Sequence, residues 1–161
     1  MRFIKNENKL IAKNGNETLL IEPWGKDSLR VRATQNPDFS GELHALSEAG
    51  GTAEIIIEDN NAAITNGDIR AEVNFAGVLS FFRKGKLILR EYHRCYGGTV
   101  SKESRCLKIV GREMKGLAGN DWRMTVRFES NDGEKLFGMG QYQQPYLDLK
   151  GCTLELAQRN S

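Results

Sequence analysis

Apolar residues recur at every second position in this chain, and this alternation restricts its fold more than any other feature. The segment 68–75 has the sequence DIRAEVNF, so its apolar residues, the last of which is Phe75, share one face. The segment 122–129, WRMTVRFE, repeats the pattern. Because successive side chains of a strand point to opposite faces of a sheet, both segments predict half-buried β-strands.

The same alternation predicts which side chains of the second segment are buried. We expect the core to receive Trp122, Met124, Val126 and Phe128. The opposite face of the strand would then expose Arg123, Thr125 and Arg127 to solvent. A shorter copy, SLRVRA at 28–33, places its two arginines toward water. Antiparallel sheets with one solvated face have this appearance.

Turn signals separate the alternating segments. Gly or Asn, which reach positive φ at little cost, occur at Asn14-Gly15, Asn66-Gly67 and Lys84-Gly85. Apolar segments at 78–82 and 86–91 flank Lys84-Gly85 and predict the two arms of a β-hairpin.

Helical periodicity is scarce. Only residues 43–49 could form two helical turns, and Gly50-Gly51 ends them. Residues 96–104 and 111–121 are rich in Gly, Lys and Ser, which predicts long surface loops. Short strands at regular spacing predict an all-β fold, an antiparallel β-sandwich.

Composition excludes several classes of partner. A length of 161 residues fits one domain or part of one. The 23 Lys and Arg residues are scattered and nearly balanced by 21 Asp and Glu, so nucleic acid is not an expected partner. No apolar stretch approaches the roughly 20 residues that cross a bilayer, and the amino terminus is charged, unlike a signal peptide. We therefore expect a soluble, cytoplasmic protein that does not bind membranes.

Metal, cofactor and phosphate sites are not predicted. The three cysteines are odd in number and far apart, with no CxxC or Cys/His cluster, so neither a disulfide framework nor a zinc site is expected. The sequence GMG at 138–140 lacks the third glycine and the Lys-Ser/Thr of a phosphate-binding loop. Its glycines instead allow a sharp turn into an exposed loop.

Two groups of residues suggest sugar chemistry, each with a simpler alternative. Glu91 and His93 would lie on one side of a strand and could exchange the anomeric proton of a sugar, although a strand-end histidine without a catalytic role is favoured. In the loop after the glycines, Gln141 and Tyr142 offer an amide and an aromatic face, which suit sugar hydroxyls and C–H groups. A solvated loop of neutral residues explains them equally well.

Several motifs together resemble those of the family 31 glycoside hydrolases. The run EKLFGMGQ at 134–141, followed by LDLKG at 147–151, resembles the motif in the amino-terminal β-sandwich of these retaining α-glucosidases and α-xylosidases. The segments ITNGDIR at 64–70 and LSFF at 79–82, with the hairpin that follows, resemble the family in order and spacing. The resemblance extends over about two-thirds of the chain and is loose over the first 60 or so residues.

The resemblance implies a fold and a function. Residues 1–161 would be the amino-terminal domain of a larger enzyme, a galactose-mutarotase-like supersandwich that is incomplete at its carboxyl end. In the intact enzyme it would pack on a catalytic (β/α)8 barrel that holds both catalytic aspartates, so this chain would hold no catalytic residue and be inactive alone. The substrate would be an α-linked oligosaccharide or glycoside. A retaining enzyme needs two carboxyls roughly 5 to 5.5 Å apart, and we find no convincing pair.

The resemblance also implies a substrate contact near the carboxyl end. Gln158, Arg159 and Asn160 occupy the place of a loop that reaches the rim of the substrate pocket, and Asn160 stands where many members have an aspartate. A structural turn is the alternative for Asn160. Missing strands beyond residue 161 would expose a sheet edge, which allows homodimerisation. The alternative function is a self-sufficient sugar-binding module or a mutarotase-like enzyme.

Overall fold

The computed structural model describes residues 1–39, 50–94, 109–138 and 146–154. Its strands, all paired antiparallel, form three sheets, and its only helix among these residues is the short 3-10 helix Ala118–Asn120. The predicted all-β antiparallel sandwich is therefore confirmed. The predicted helical turns at 43–49 and the loop at 96–104 lie outside the described residues. The chain divides into two compact units, Met1–Glu129 and Ser130–Ser161.

Four consecutive strands form the first sheet of the larger unit in the order β1-β2-β3-β4. Their bounds are β1 Arg2–Asn6, β2 Lys9–Asn14, β3 Glu17–Pro23 and β4 Leu29–Thr34. The predicted turn after Asn14 joins β2 to β3, with Gly15 at a φ of 59°. Such short connections make each strand the neighbour of the next, which is the simplest antiparallel topology.

The next five strands form the second sheet in the order β5-β6-β7-β8-β9. Their bounds are β5 Glu54–Ile57, β6 Asn61–Asn66, β7 Ile69–Asn74, β8 Leu79–Arg83 and β9 Lys86–Arg90. The predicted hairpin is confirmed: β8 and β9 pair around Lys84 and Gly85, whose φ angles are 49° and 78°. Positive φ at both central residues matches the right-handed twist of the strands.

The core lies between these two sheets. Inward side chains from β2, β3, β6, β7 and β8 interdigitate, and the most buried are Leu10, Leu19, Ile21, Ile64 and Val73. A polar contact joins the sheets at one end, where buried Asn66 donates from Nδ2 to the carbonyls of Gly25 at 2.8 Å and Ser28 at 2.7 Å. The sandwich is therefore held by apolar burial and by an amide whose nitrogen donates hydrogen bonds to two carbonyls.

A two-stranded ribbon, β10 Arg112–Gly116 paired with β11 Trp122–Val126, completes the larger unit. The predicted strand at 122–129 is thus confirmed over its first five residues. The prediction of a loop at 111–121 is wrong, because β10 lies within it. The sequence REMKG has little intrinsic strand preference, and pairing with β11 overrides it.

The predicted burial of the β11 residues is wrong. The side chains of Trp122, Met124, Val126 and Phe128 remain 39, 53, 37 and 45 % exposed. Alternation does place the apolar residues of β11 on one face, but no described element covers that face. Phe75, which was expected to share the buried face of β7, is 67 % exposed because β7 ends at Asn74.

The arginines of β4 do not simply face water, which corrects a second expectation. Arg30 stacks over Trp24 at 4.3 Å from the ring centroid, and Arg32 donates to the carboxylate of Glu22 at 3.0 Å. Glu22 is 5 % exposed and also lies near Lys9, at 3.5 Å, and near Arg30, at 3.8 Å. The outer surface of the first sheet thus buries a carboxylate among three cations, which offset the cost of removing it from water.

The smaller unit is described over residues 130–138 and 146–154. A hydrogen bond of 2.8 Å runs from the backbone N–H of Leu149 to the carbonyl of Leu136 and joins its two described segments. Lys150 donates to the carbonyl of Asn131 and lies 3.7 Å from the carboxylate of Glu134. A turn lies at Asp132 and Gly133, with Gly133 at a φ of 71°.

Candidate functional site

All five residues predicted to contact a sugar lie outside the described residues. These are Gln141, Tyr142, Gln158, Arg159 and Asn160. The predicted acid–base cluster of Glu91 and His93 is described, and it lies beside a cavity of about 240 Å³ in the larger unit. It is therefore the candidate site whose chemistry can be judged from geometry.

Glu91 is placed just after β9 and is only 2 % exposed. Its Oε2 accepts a hydrogen bond of 2.9 Å from the backbone N–H of Leu79, and its Oε1 accepts one from Nη1 of Arg112. Both carboxylate oxygens are therefore engaged inside the protein. A general base must reach the proton that it removes, whereas the buried Glu91 carboxylate already accepts hydrogen bonds from two donors of the protein.

Arg112 is the centre of this cluster, and its guanidinium contacts three parts of the chain. Nε donates to Glu17 at 2.7 Å, Nη1 donates to Glu91, and Nη2 donates to the carbonyl of Gly77 at 2.7 Å. Glu17 begins β3, Gly77 precedes β8, and Arg112 begins β10. One side chain therefore joins both sheets of the sandwich to the ribbon.

Gly111 allows Glu91 and the start of β10 to come this close. A Cβ at position 111 would lie 2.9 Å from Cβ of Glu91 and 3.3 Å from its Oε2. Contacts under 3.0 Å force a shift in one partner, so a larger residue here would separate the buried ion pair. Glycine is used in strands where another group approaches the backbone closely.

Burial and charge oppose one another at this pair. Burial raises the pKa of the Glu91 carboxyl above its ordinary value, and the attraction of Arg112 only partly offsets this. For Arg112, burial alone would lower the pKa, but the charge of Glu91 and the contacts with Glu17 outweigh it, so the pKa is raised. The cluster therefore keeps its arginine charged and its hydrogen bonds satisfied, as a structural ion pair must.

The geometry thus makes Glu91 a structural residue whose main partner, Arg112, is 21 positions away and was not predicted from the sequence. Glu17 and Arg112 are 95 positions apart, so no local motif links them. Burial of Glu91 itself was not expected, since alternation predicts only which residues share a face.

In the motif at 134–141 and 147–151, Asp148 makes the main side-chain contacts among the described residues. Its Oδ1 accepts hydrogen bonds from the backbone N–H groups of Leu136 at 3.0 Å and Lys150 at 3.1 Å. These bonds lower the pKa of the Asp148 carboxyl, because they favour its ionised form. This carboxylate and the backbone hydrogen bond between Leu149 and Leu136 thereby join the segments at 134–138 and 147–151.

Neither a metal site nor a membrane-spanning helix is present within residues 1–39, 50–94, 109–138 and 146–154. In these ranges no group of three His, Cys, Asp or Glu side chains is placed to hold a metal ion. No helix there has the length and hydrophobicity to cross a membrane.

The fold and the buried cluster define a class of protein, a sandwich of two antiparallel β-sheets braced by a buried arginine.

No protein-family model matches the chain. An uncharacterized family 31 glucosidase of Pseudescherichia vulneris is 47 % identical over 169 aligned positions, which cover 99 % of this chain and 32 % of that protein. The crystal structure of a family 31 α-xylosidase from a soil metagenome, complexed with xylose, superposes with a TM-score of 0.88 at 43 % identity. That match covers 99 % of this chain and 25 % of the xylosidase.

The chain is therefore homologous to family 31 glycoside hydrolases and matches the amino-terminal domain of a solved member. The similarity covers 99 % of the chain and not only the two-thirds that the motifs indicated. This chain spans about a third of the length of the curated relative and a quarter of the solved one.

Proposed function

We propose that this chain is the amino-terminal, non-catalytic β-sandwich of a retaining α-glycosidase that acts on α-glucosides or α-xylosides. In the intact enzyme it packs on a catalytic barrel, and residues 158–160 lie at the rim of the substrate pocket, where Asn160 contacts the sugar. The observation that carries the proposal is the match to a family 31 α-xylosidase over 99 % of this chain but only 25 % of that enzyme.

The buried carboxylates support a non-catalytic role for the described residues. Two acidic residues are buried there, Glu22 and Glu91, and each is paired with arginine. Glycoside hydrolysis by retention needs one carboxyl as nucleophile and another as acid and base, both facing the substrate. The engagement of Glu91 also argues against the mutarotase-like alternative, which needs a carboxylate or histidine that can exchange a proton with a sugar.

A domain exchange tests the proposal. In the soil-metagenome α-xylosidase, the matching quarter would be replaced by this chain, and kcat and KM would be measured with p-nitrophenyl α-D-xylopyranoside. We expect the chimera to hydrolyse the substrate, because the backbone of this chain is similar to that of the replaced quarter, with a TM-score of 0.88. The matched controls are the xylosidase without its amino-terminal quarter and a chimera that carries Ile64→Asp, which disrupts the fully buried core.

The 161-residue chain alone is the second arm of this test. We expect it to leave both p-nitrophenyl α-D-xylopyranoside and the corresponding glucopyranoside unhydrolysed. A folded but inactive chimera would contradict the domain assignment. Faster mutarotation of α-D-glucose by the chain alone, followed by polarimetry, would favour the mutarotase-like alternative.

A further inference from the structure

The outer face of the second sheet carries a groove that the proposed function does not use. One row of paired residues crosses all five strands, and it consists of Ile56, Ala63, Glu72, Ser80 and Arg90. Directly opposed side chains in a sheet lie on the same face, so this row forms a continuous strip. Small residues alternate with large ones along it, which leaves a depression at the positions of the small ones.

The floor and walls of the groove are well defined. Ala63 and Ser80 form the floor and are 6 and 7 % exposed, although they point away from the core. Glu72 stands between them and pairs with Arg70 at 2.8 Å, and both side chains remain more than a third exposed. At the other wall, Arg90 donates from Nε to the hydroxyl of Ser80 at 3.1 Å. The volume of the groove is about 260 Å³.

The balance of charge in the groove favours a neutral ligand. Its charged lining residues are two arginines, Arg70 and Arg90, and two glutamates, Glu58 and Glu72. Arginine only donates hydrogen bonds and an ionised glutamate only accepts them, whereas a hydroxyl does both. A ligand with several neighbouring hydroxyls can therefore bridge the two kinds of side chain. An anion would meet two carboxylates, and an apolar ligand would leave these groups desolvated without partners.

The size of the groove and its apolar edge restrict the class of possible ligands further. The volume of about 260 Å³ lies just below the roughly 300 to 1,000 Å³ of pockets that enclose drug-sized ligands, which suits one sugar ring. Ile56, 46 % exposed at the edge strand, and the methyl group of Ala63 offer apolar surface to the C–H groups of such a ring. We propose that this groove on the outer face of β5 to β9 binds one pyranose unit of a neutral carbohydrate.

The groove also lies on a rigid support. Four of its five row residues belong to β5 to β8, strands whose other face contributes to the core, so the register that builds the core also fixes the positions of these residues. Sites on such elements bind without first having to order a loop. This proposal does not rest on the proposed enzymatic function, because it concerns binding by the sandwich itself.

Binding to the full 161-residue chain tests the groove. Methyl α-D-glucopyranoside and methyl α-D-xylopyranoside would be titrated into the ¹⁵N-labelled chain, and amide shifts would be followed by NMR. We expect saturable shifts confined to the amides of β5 to β9, with a Kd on the order of 1 mM for so small a ligand. Sodium sulfate is the anionic probe, and we expect it to bind more weakly.

Two variants distinguish the groove from the rest of the face. Ala63→Leu fills the floor and should weaken binding by at least about tenfold. Thr65→Leu is the matched control, because Thr65 lies on the same strand and the same face but outside the groove, and it should leave affinity unchanged. Should Ala63→Leu fail to fold, as judged by its melting curve, Glu72→Gln keeps the size of the wall and should weaken binding several-fold.

The proposal is overturned by an absence of saturable shifts, by equal affinity in the wild type and Ala63→Leu or Glu72→Gln, or by tighter binding of sulfate than of either glycoside. None of these results bears on the domain exchange, which measures hydrolysis. An inactive chimera likewise leaves the binding titration unaffected. The two proposals can therefore fail separately.

Discussion

Replacement of Arg112 by methionine is the sharpest test of how the larger unit is held together. Methionine keeps much of the side-chain volume, so the loss is mainly one of charge and hydrogen bonds. Arg112 and Glu91 have side chains that are 7 and 2 % exposed, and removal of one partner from a buried ion pair costs about 3 to 5 kcal/mol. Glu17 and the carbonyl of Gly77 also lose their donors, which places Arg112→Met toward the upper end of that range.

Urea unfolding gives the measurement. The free energy of unfolding would be obtained from linear extrapolation for the wild type and each variant, with circular dichroism and tryptophan fluorescence as independent probes of a two-state transition. Lys115→Met is the matched control on the same strand. Its ammonium pairs with Glu113 at 3.3 Å, but its side chain is 69 % exposed, and such surface pairs contribute about 0 to 1 kcal/mol.

A second substitution separates the ion pair from general disruption. If the cost of Arg112→Met comes from a buried carboxylate without a partner, Arg112→Met combined with Glu91→Leu should recover a large part of the lost stability. A loss no larger than that of Lys115→Met would refute the role of Arg112 as a brace. The absence of any recovery in the double variant would refute its electrostatic origin.

Three further predictions follow from the same structure. Because burial raises the pKa of Glu91, this residue adds stability that is fully present below its ordinary pKa of 4.5 and lost as pH rises through the folded value. The unfolding free energy of the wild type relative to Glu91→Gln should therefore decrease from pH 4.5 toward neutrality, and a constant difference would contradict this. Ile64→Ala, at a fully buried position, should cost about 2 to 5 kcal/mol in urea unfolding, whereas Ile56→Ala, on the outer face, should cost far less. Gly67→Ala should lower the melting temperature much more than Gly85→Ala, because both glycines have positive φ but only a Cβ at Gly67 would collide with another atom, Oδ1 of Asp27.

The sequence predicted the strands and turns well because these depend on neighbouring residues. Alternation at 68–75 and the Lys84-Gly85 turn specify β7 and the β8–β9 hairpin with no information from distant residues. Burial of whole strands was harder to predict, because it depends on what packs opposite. β7 faces the first sheet and buries Val73, whereas β11 has the same pattern and leaves Met124 half exposed.

The candidate site could be predicted only in part for a related reason. Glu91 was recognised as a possible acid or base from its spacing to His93, but its role depends on Arg112, which reaches it from another sheet. Phe128→Ala should cost less than the roughly 3 to 5 kcal/mol typical of a fully buried phenylalanine, since the side chain of Phe128 is 45 % exposed. The predicted sugar contacts at 141–142 and 158–160 remain predictions.

The two faces of β7 show how one sequence pattern can serve both stability and binding. Ala71 and Val73 point inward and are fully buried, whereas Arg70 and Glu72 point outward and line the groove. A shift of one residue in the pairing of β7 would exchange these faces, so the register that buries the core also places the groove. Loss of sugar binding on heating should consequently coincide with global unfolding and not precede it. A groove built on a flexible loop would instead lose its ligand at temperatures where the sandwich is still intact.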